Sequence, residues 1–222
     1  MGVAENLQHI RKQVPENVTL VAVSKTKPDA LILEAYEAGQ RDFGENKVQD
    51  LLSKKDRLPA DIRWHMIGHL QSNKVKYLVP FVHLIHGVDS LKLLKMLQKE
   101  AMKANRVVEC LLQVHIAREP SKFGFDGEEL LKIASEGELK RMEMVRIRGV
   151  MGMATYTDNE EQIREEFRFL NRIFDQLKAA AFSGTDSFDQ RSYGMSGDFQ
   201  LALEEGSTMV RIGSLIFGPR EY

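Results

Sequence analysis

The chain has 222 residues, 43% of them hydrophobic and 28% charged, enough to bury a sizeable core. Its formal net charge of −1 gives no basic field to draw in nucleic acid or an anionic membrane, and no dense Lys/Arg run with interleaved aromatics supplies a local patch. The single cysteine, Cys110, has no internal disulfide partner and lies in the apolar run Val107 to Leu112, where a buried, inert thiol is expected. No apolar stretch is long enough to span a bilayer, and the opening segment lacks the apolar core of a signal peptide. Gly2 follows Met1, but Asn6 stands where a myristoylation motif has Ser or Thr. The expectation is a cytoplasmic protein with no nucleic-acid or membrane partner.

A leading helix over residues 3–13 is followed by Leu20-Val21-Ala22-Val23, an apolar run without polar alternation, as in a parallel strand covered on both faces. Pro28 can open the next helix and Gly39 can end it. Further strands are expected near Arg41–Phe43, Arg63–Met66, His83–His86, Val107–Val114, Arg146–Val150, Phe188–Tyr193 and Met209–Ile212. Between them, Asp89 and Ser90 can cap one helix, and Asp126 with Glu129 resembles a capping box for another. From Asp158 to Ala180, Ile163, Phe167, Leu170, Phe174 and Leu177 recur at helical spacing. That stripe is expected to pack on the sheet rather than to bind a partner. Eight strands, the first seven each followed by a helix, with no linker or internal repeat, predict a single domain over residues 1–222. The fold class is α/β: one (β/α)8 TIM barrel with an extra N-terminal helix, a doubly wound open sheet being the alternative.

In a barrel, chemistry belongs at the C-terminal strand ends. The first strand runs into Ser24-Lys25-Thr26-Lys27-Pro28. A lysine at the end of a buried strand, with a second lysine nearby, is biased toward the neutral amine that a Schiff-base lysine needs; a solvated loop pair is the other reading. In the eighth strand Met209, Arg211 and Gly213 share one face. An arginine among apolar neighbours needs an anion or an acceptor, a structural salt bridge to an acidic residue being the other reading, and Gly213 permits close approach to the backbone. The loop Gly194-Met195-Ser196-Gly197-Asp198 precedes a helix over Phe199–Glu205, so Ser196 and Asp198 are N-cap candidates. Ser196-Gly197 and Gly213-Ser214 also occupy the loops after strands seven and eight, where many barrels hold a phosphate. Asn46 after strand two, His69 after strand three, His86 and Asp89 after strand four, and Glu119 and Lys122 after strand five are lesser candidates. The six histidines show no metal-ligand spacing, since His65 and His69 lie four apart across a strand end, and no metal site is expected.

The stretches Ala22 to Pro28, Phe43-Gly44-Glu45-Asn46, Trp64 to Lys74 and Gly194 to Gly218, taken together and in order, resemble the pyridoxal phosphate homeostasis protein family, which shares the barrel of alanine racemase. His115 and Arg191 depart from the family pattern, standing where relatives often show asparagine and an apolar residue. The resemblance implies pyridoxal 5′-phosphate (PLP) as the cofactor, with Lys25 forming the Schiff base. It further implies that Ser196, Gly197, Gly213 and Ser214 lie near the phosphate and that Arg211 faces the pyridine nitrogen.

An arginine donating to that nitrogen keeps it unprotonated and weakens the electron sink that PLP enzymes use. The barrel also occupies the whole chain, with no second domain to bring a catalytic tyrosine; of the five tyrosines only Tyr156 and Tyr193 are expected near strand ends. The resulting expectation is a PLP carrier rather than an enzyme, with no catalytic residues, buffering PLP and handing it to PLP-dependent apoenzymes. Lys27 is either a second amine for exchange or a solvent-facing helix-start lysine, and the chain is expected to be a monomer. The alternatives are a low-activity amino-acid racemase and a phosphosugar-binding barrel in which Lys25 has no covalent role.

Overall fold

The computed structural model describes residues 2–119 and 123–219. Lys122 and Tyr222 lie outside the described residues. Eight parallel strands close into a barrel in sequence order: β1 (Thr19–Val23), β2 (Asp42–Glu45), β3 (Arg63–Met66), β4 (Leu84–Val88), β5 (Val108–Gln113), β6 (Val145–Met151), β7 (Gln190–Ser192) and β8 (Met209–Ile212). Closure is made by β8 pairing with β1, Thr19 opposite Met209 and Val21 opposite Arg211. The alternative of an open sheet is excluded by that ladder.

The helices are α1 (Val3–Arg11), α2 (Asp29–Glu37), α3 (Val48–Lys55), α4 (Val75–Leu78), α5 (Leu91–Ala104), α6 (Gly127–Ser135), α7 (Glu160–Ala181), α8 (Phe199–Glu204) and α9 (Ser214–Phe217). Local chemistry sets their ends. Ser90 accepts from the Leu93 N–H and Asp126 from the N–H groups of Glu128 and Glu129, satisfying orphan donors of α5 and α6. All five residues of the α7 stripe are buried, so that stripe is core. The N-terminal α1 buries Val3, Leu7 and Ile10 and ties to α9 through Asn6 Nδ2, which donates to the Ile216 carbonyl at 3.1 Å.

Period two explains why the strand runs lack polar alternation. Leu20 and Ala22 belong to the core beneath the helices, whereas Val21 joins Leu84, Leu111, Met151 and Met209 in a separate apolar cluster. These strands bury both faces. β7 is shorter than expected because Phe188 leaves the ladder to stack on Phe182 and Phe174, with centroids 4.1 and 4.8 Å away, while Gly194 turns the chain at φ +95°. The unexpected Arg191 points outward: its guanidinium lies 4.0 Å over the Phe174 ring and pairs with Asp175 at 3.0 Å. The helix after β8 was not expected from the sequence.

Candidate functional site

Lys25 lies one residue beyond the end of β1, after Ser24, and is half-buried. Its turn is closed by the Lys27 N–H donating to the Ser24 carbonyl at 3.1 Å, with Thr26 held at φ +65°. A β-branched residue in the left-handed region costs about 1–3 kcal/mol and persists only where its surroundings enforce it. Lys27 Nζ reaches the Pro219 carbonyl at 2.8 Å, and so anchors the segment after α9.

Beneath this turn lies a cluster that the sequence reading missed. Ser24 Oγ donates to Glu45 Oε1 at 2.6 Å, and Lys54 Nζ donates both to that oxygen at 2.7 Å and to the Ser24 carbonyl at 3.0 Å. All three residues are buried. Burial pushes the Glu45 carboxyl above its ordinary value in spite of its bonds from Lys54 and Ser24. The signal for Lys54 was present: on α3 it falls in step with buried Val48 and Leu51, so this lysine lies on the apolar face. Glu45 Oε2 and the neighbouring Asn46 Oδ1 are buried without a hydrogen-bond partner. Such acceptors are costly, and they mark where a ligand's donors would be received. The oxygen and nitrogen of the Asn46 amide can exchange places to suit that ligand.

The loops after β7 and β8 meet. Ser196 Oγ accepts the Gly213 N–H at 3.3 Å, so Ser196 does not cap α8. Asp198 does not cap it either: its Oδ1 turns back to accept the Met195 N–H at 2.5 Å, and burial pushes its carboxyl upward. A side chain at Gly213 would bring its Cβ to 3.2 Å from both Cβ and the carbonyl oxygen of Val23, so glycine lets the end of β8 close on the end of β1. Lys25, Asn46, Ser196, Gly197, Gly213 and Ser214 thus share one mouth of the barrel.

Arg211 lies inside the barrel, 4% exposed. It donates to the Ser192 carbonyl at 2.8 Å, to Ser192 Oγ at 2.6 Å and to the Gly152 carbonyl at 3.1 Å. Among the described residues it has no carboxylate salt-bridge partner, so the structural ion pair considered from the sequence is not formed. Burial lowers its guanidinium to about 10, against the pull of Asp198.

Several candidates stand elsewhere than expected. His86 lies within β4 rather than after it, fully buried with Nε2 2.9 Å from His65 Nδ1. Tyr193 is wholly buried outside the barrel, stacked on Phe167 at 4.6 Å, with its hydroxyl donating to the Glu205 carbonyl. Burial pushes that phenol up to about 12. It cannot face Lys25 as an acid, and Tyr156 is 98% exposed. Cys110 is fully buried, and desolvation raises its thiol well above the ordinary range. His69 remains at the functional mouth, bonded to Asp89 at 2.9 Å and stacked on Phe123.

At the opposite mouth the ligating atoms of Asp42, His65 and His83 come within 4.8 Å of one another. They line a cavity of about 290 Å³ that also holds Arg63 and Arg148. Arg63 already binds both Asp42 oxygens, at 2.8 and 2.5 Å, and two guanidiniums oppose a bound cation. A larger cavity of about 580 Å³, against Val107, Leu139 and Phe182, contains none of the candidate site residues.

Residues 2–221 match the alanine racemase N-terminal domain. The pyridoxal phosphate homeostasis protein of Aquifex aeolicus (strain VF5) is 41% identical across 91% of this chain and 87% of its own length. That of Vibrio alginolyticus is 38% identical across 100% and 99%. The solved structure of PipY from Synechococcus elongatus PCC7942 without PLP has a TM-score of 0.91 at 37% identity, covering 97% of this chain and 100% of that one. PipY with PLP bound has a TM-score of 0.88 at 36% identity over the same shares. Alanine racemase of Bartonella henselae, at 18% identity and TM-score 0.75 over 99% of this chain and 60% of that one, shows the shared fold alone. By sequence over nearly its full length and by the architecture of its barrel, the chain belongs to the pyridoxal phosphate homeostasis protein family.

Proposed function

We propose that this chain holds PLP reversibly at the C-terminal mouth of the barrel, as a Schiff base on Lys25, and serves PLP homeostasis by buffering the cofactor and passing it to apoenzymes. The observation that carries this reading is the bond between Ser196 Oγ and the Gly213 N–H, which joins the two phosphate-type loops beside the strand end that bears Lys25. Bound PLP would supply an aldehyde for Lys25 and a phosphate for the loop donors. With its oxygen and nitrogen exchanged, the Asn46 amide would turn N–H donors toward the oxygens of the cofactor.

The roles of the chain's own groups follow. Lys25 provides the amine, and Ser24, Glu45 and Lys54 fix the strand end from which it projects. Ser196, Gly197 and Ser214 would offer backbone N–H groups and hydroxyls to an anion, and Gly213, whose own N–H goes to Ser196, leaves room beside them. Arg211 would face the ring nitrogen from within the barrel, and a donor there would disfavour carbanion chemistry. For the racemase alternative, neither tyrosine candidate is placed as an acid opposite Lys25: Tyr193 faces away and Tyr156 is solvent-exposed.

The test is transfer of PLP from the loaded protein to an apoenzyme, with solvent-deuterium incorporation at Cα of alanine measured alongside. Transfer faster than from a small-molecule Schiff base, with almost no deuterium incorporated, is expected. Deuterium incorporation at a catalytic rate would replace the carrier with a racemase.

A further inference from the structure

A line of buried polar side chains crosses the barrel from one mouth to the other. Asp42 Oδ1 lies 3.0 Å from His65 Nε2, and His65 Nδ1 lies 2.9 Å from His86 Nε2. His86 Nδ1 lies 3.2 Å from Ser192 Oγ, which accepts from Arg211 Nη1 at 2.6 Å. All five residues are buried. None of Asp42, His65, His86 or Ser192 is needed to build the cofactor mouth itself, yet they are threaded directly onto Arg211.

The order of protons along this line follows from its two ends. Burial by itself would raise the Asp42 carboxyl, but hydrogen bonds from Arg63 and His65 outweigh it and hold the group well below the usual range. Asp42 is therefore an acceptor, and His65 carries its proton on Nε2. At the other end Ser192 Oγ receives an Arg211 N–H, so its own hydroxyl proton is free to donate to His86 Nδ1. Burial, reinforced by the charge of Arg211, holds the His86 imidazole well below its ordinary value, so it is neutral. A neutral ring that accepts at Nδ1 donates at Nε2, which requires His65 Nδ1 to be bare. Along the line, Ser192, His86 and His65 each then accept from the Arg211 side and donate toward Asp42. The opposite order would give Ser192 Oγ two donors and leave its hydroxyl proton to find a further acceptor.

We propose that Asp42, His65, His86 and Ser192 are positioning residues for Arg211, forming a proton-ordered relay whose donors all point from Arg211 toward Asp42. The acceptor end of every dipole faces the guanidinium, and the line ends on a carboxylate. This holds Arg211 in place and charged in an interior that offers it no direct counter-ion among the described residues. The relay rests on the reading given under Proposed function only for what Arg211 meets at the mouth. Its proton order stands without a cofactor.

The test uses the full chain. In the PLP-free protein at neutral pH, nitrogen-15 histidine spectra are expected to show the Nε2–H tautomer for both His65 and His86. In Asp42→Asn the introduced amide can give its oxygen to Arg63 and donate to His65, so both rings are expected to change to Nδ1–H. After loading, Asp42→Asn is expected to shift the visible band and to hold PLP about fivefold more weakly, the range of one hydrogen bond. Ser192→Ala cuts the line at its other end and is expected to shift band and affinity in the same direction, which keeps the test alive should Asp42→Asn fail to fold. His83→Gln, whose native ring touches that of His65 without joining the line, is the control and is expected to change neither. An Nδ1–H or doubly protonated ring in the unaltered protein overturns the relay, as do a band and affinity unchanged in both variants. Should the unaltered chain take up no PLP, the cofactor reading fails, and the tautomers still decide the proton order.

Discussion

The two mouths of this barrel use their polar groups in opposite ways. At the N-terminal mouth the charges satisfy one another: Asp42 is held by Arg63, and Glu109 by both Arg146 at 2.8 Å and Arg148 at 2.7 Å, with Arg148 also on Asp189. At the C-terminal mouth Glu45 Oε2 and Asn46 Oδ1 are buried without partners, Thr26 is held in a left-handed conformation, and Gly213 is kept free of a side chain. The contrast teaches where each mouth's cost is recovered: one end pairs its charges within the chain, and the other leaves buried acceptors unmet.

Four changes would break or sharpen this contrast. The largest effect is expected from Lys54→Met, which leaves the Glu45 carboxyl buried without its cationic partner. Chemical denaturation should show a loss of about 3–5 kcal/mol, together with weaker PLP retention as the Ser24-Lys25 turn loosens. Next is Gly213→Ala, whose methyl must push against Val23; a stability loss of about 1–3 kcal/mol is expected from overpacking, with affinity for inorganic phosphate falling in parallel. At the N-terminal mouth Arg148→Met should cost only about 1 kcal/mol, because Glu109 keeps Arg146 and is partly solvated, and should leave PLP binding unchanged. The smallest effect belongs to the exposed Arg41–Asp61 pair: Asp61→Asn is expected to alter the melting temperature by no more than the equivalent of about 1 kcal/mol.

Acid should act on the relay in two windows. His86 is depressed in the folded chain, so the unfolded chain takes up a proton first. Its contribution to stability is present above the unfolded value near pH ~6.5 and is lost as pH falls below it. Asp42 is also depressed, so its contribution is present above about pH 4 and is lost below that. Denaturation curves across pH 3–8 should therefore begin to weaken near pH ~6.5 and steepen below ~4. His86→Phe is expected to flatten the first window.

Much of this was legible because it lies along the chain. Unbroken apolar runs at Leu20–Val23 and Cys110–Leu112 announce strands covered on both faces, and β1, β3 and β8 begin or end close to where the residues say. That Lys25, Ser196 and Gly213 fall at one mouth was legible because each follows a strand of a parallel barrel. What was missed depends on parity between strands. His86 reads as a residue following β4 until its strand is extended to Val88, and only then does its inward direction bring it to His65 and Ser192, the latter distant by 106 positions. Tyr193 and Arg191 flank Ser192, and one residue of register separates facing the interior from facing α7. Sequence spacing cannot choose between those faces without the barrel.

The most direct measurement is the visible absorption spectrum of the purified chain loaded with PLP, before and after borohydride, beside Lys25→Ala. A yellow band that borohydride abolishes, and that Lys25→Ala lacks while melting like the unaltered protein, is the predicted result. No such band in the loaded chain, or an equal and borohydride-sensitive band in Lys25→Ala, would contradict the covalent site on Lys25.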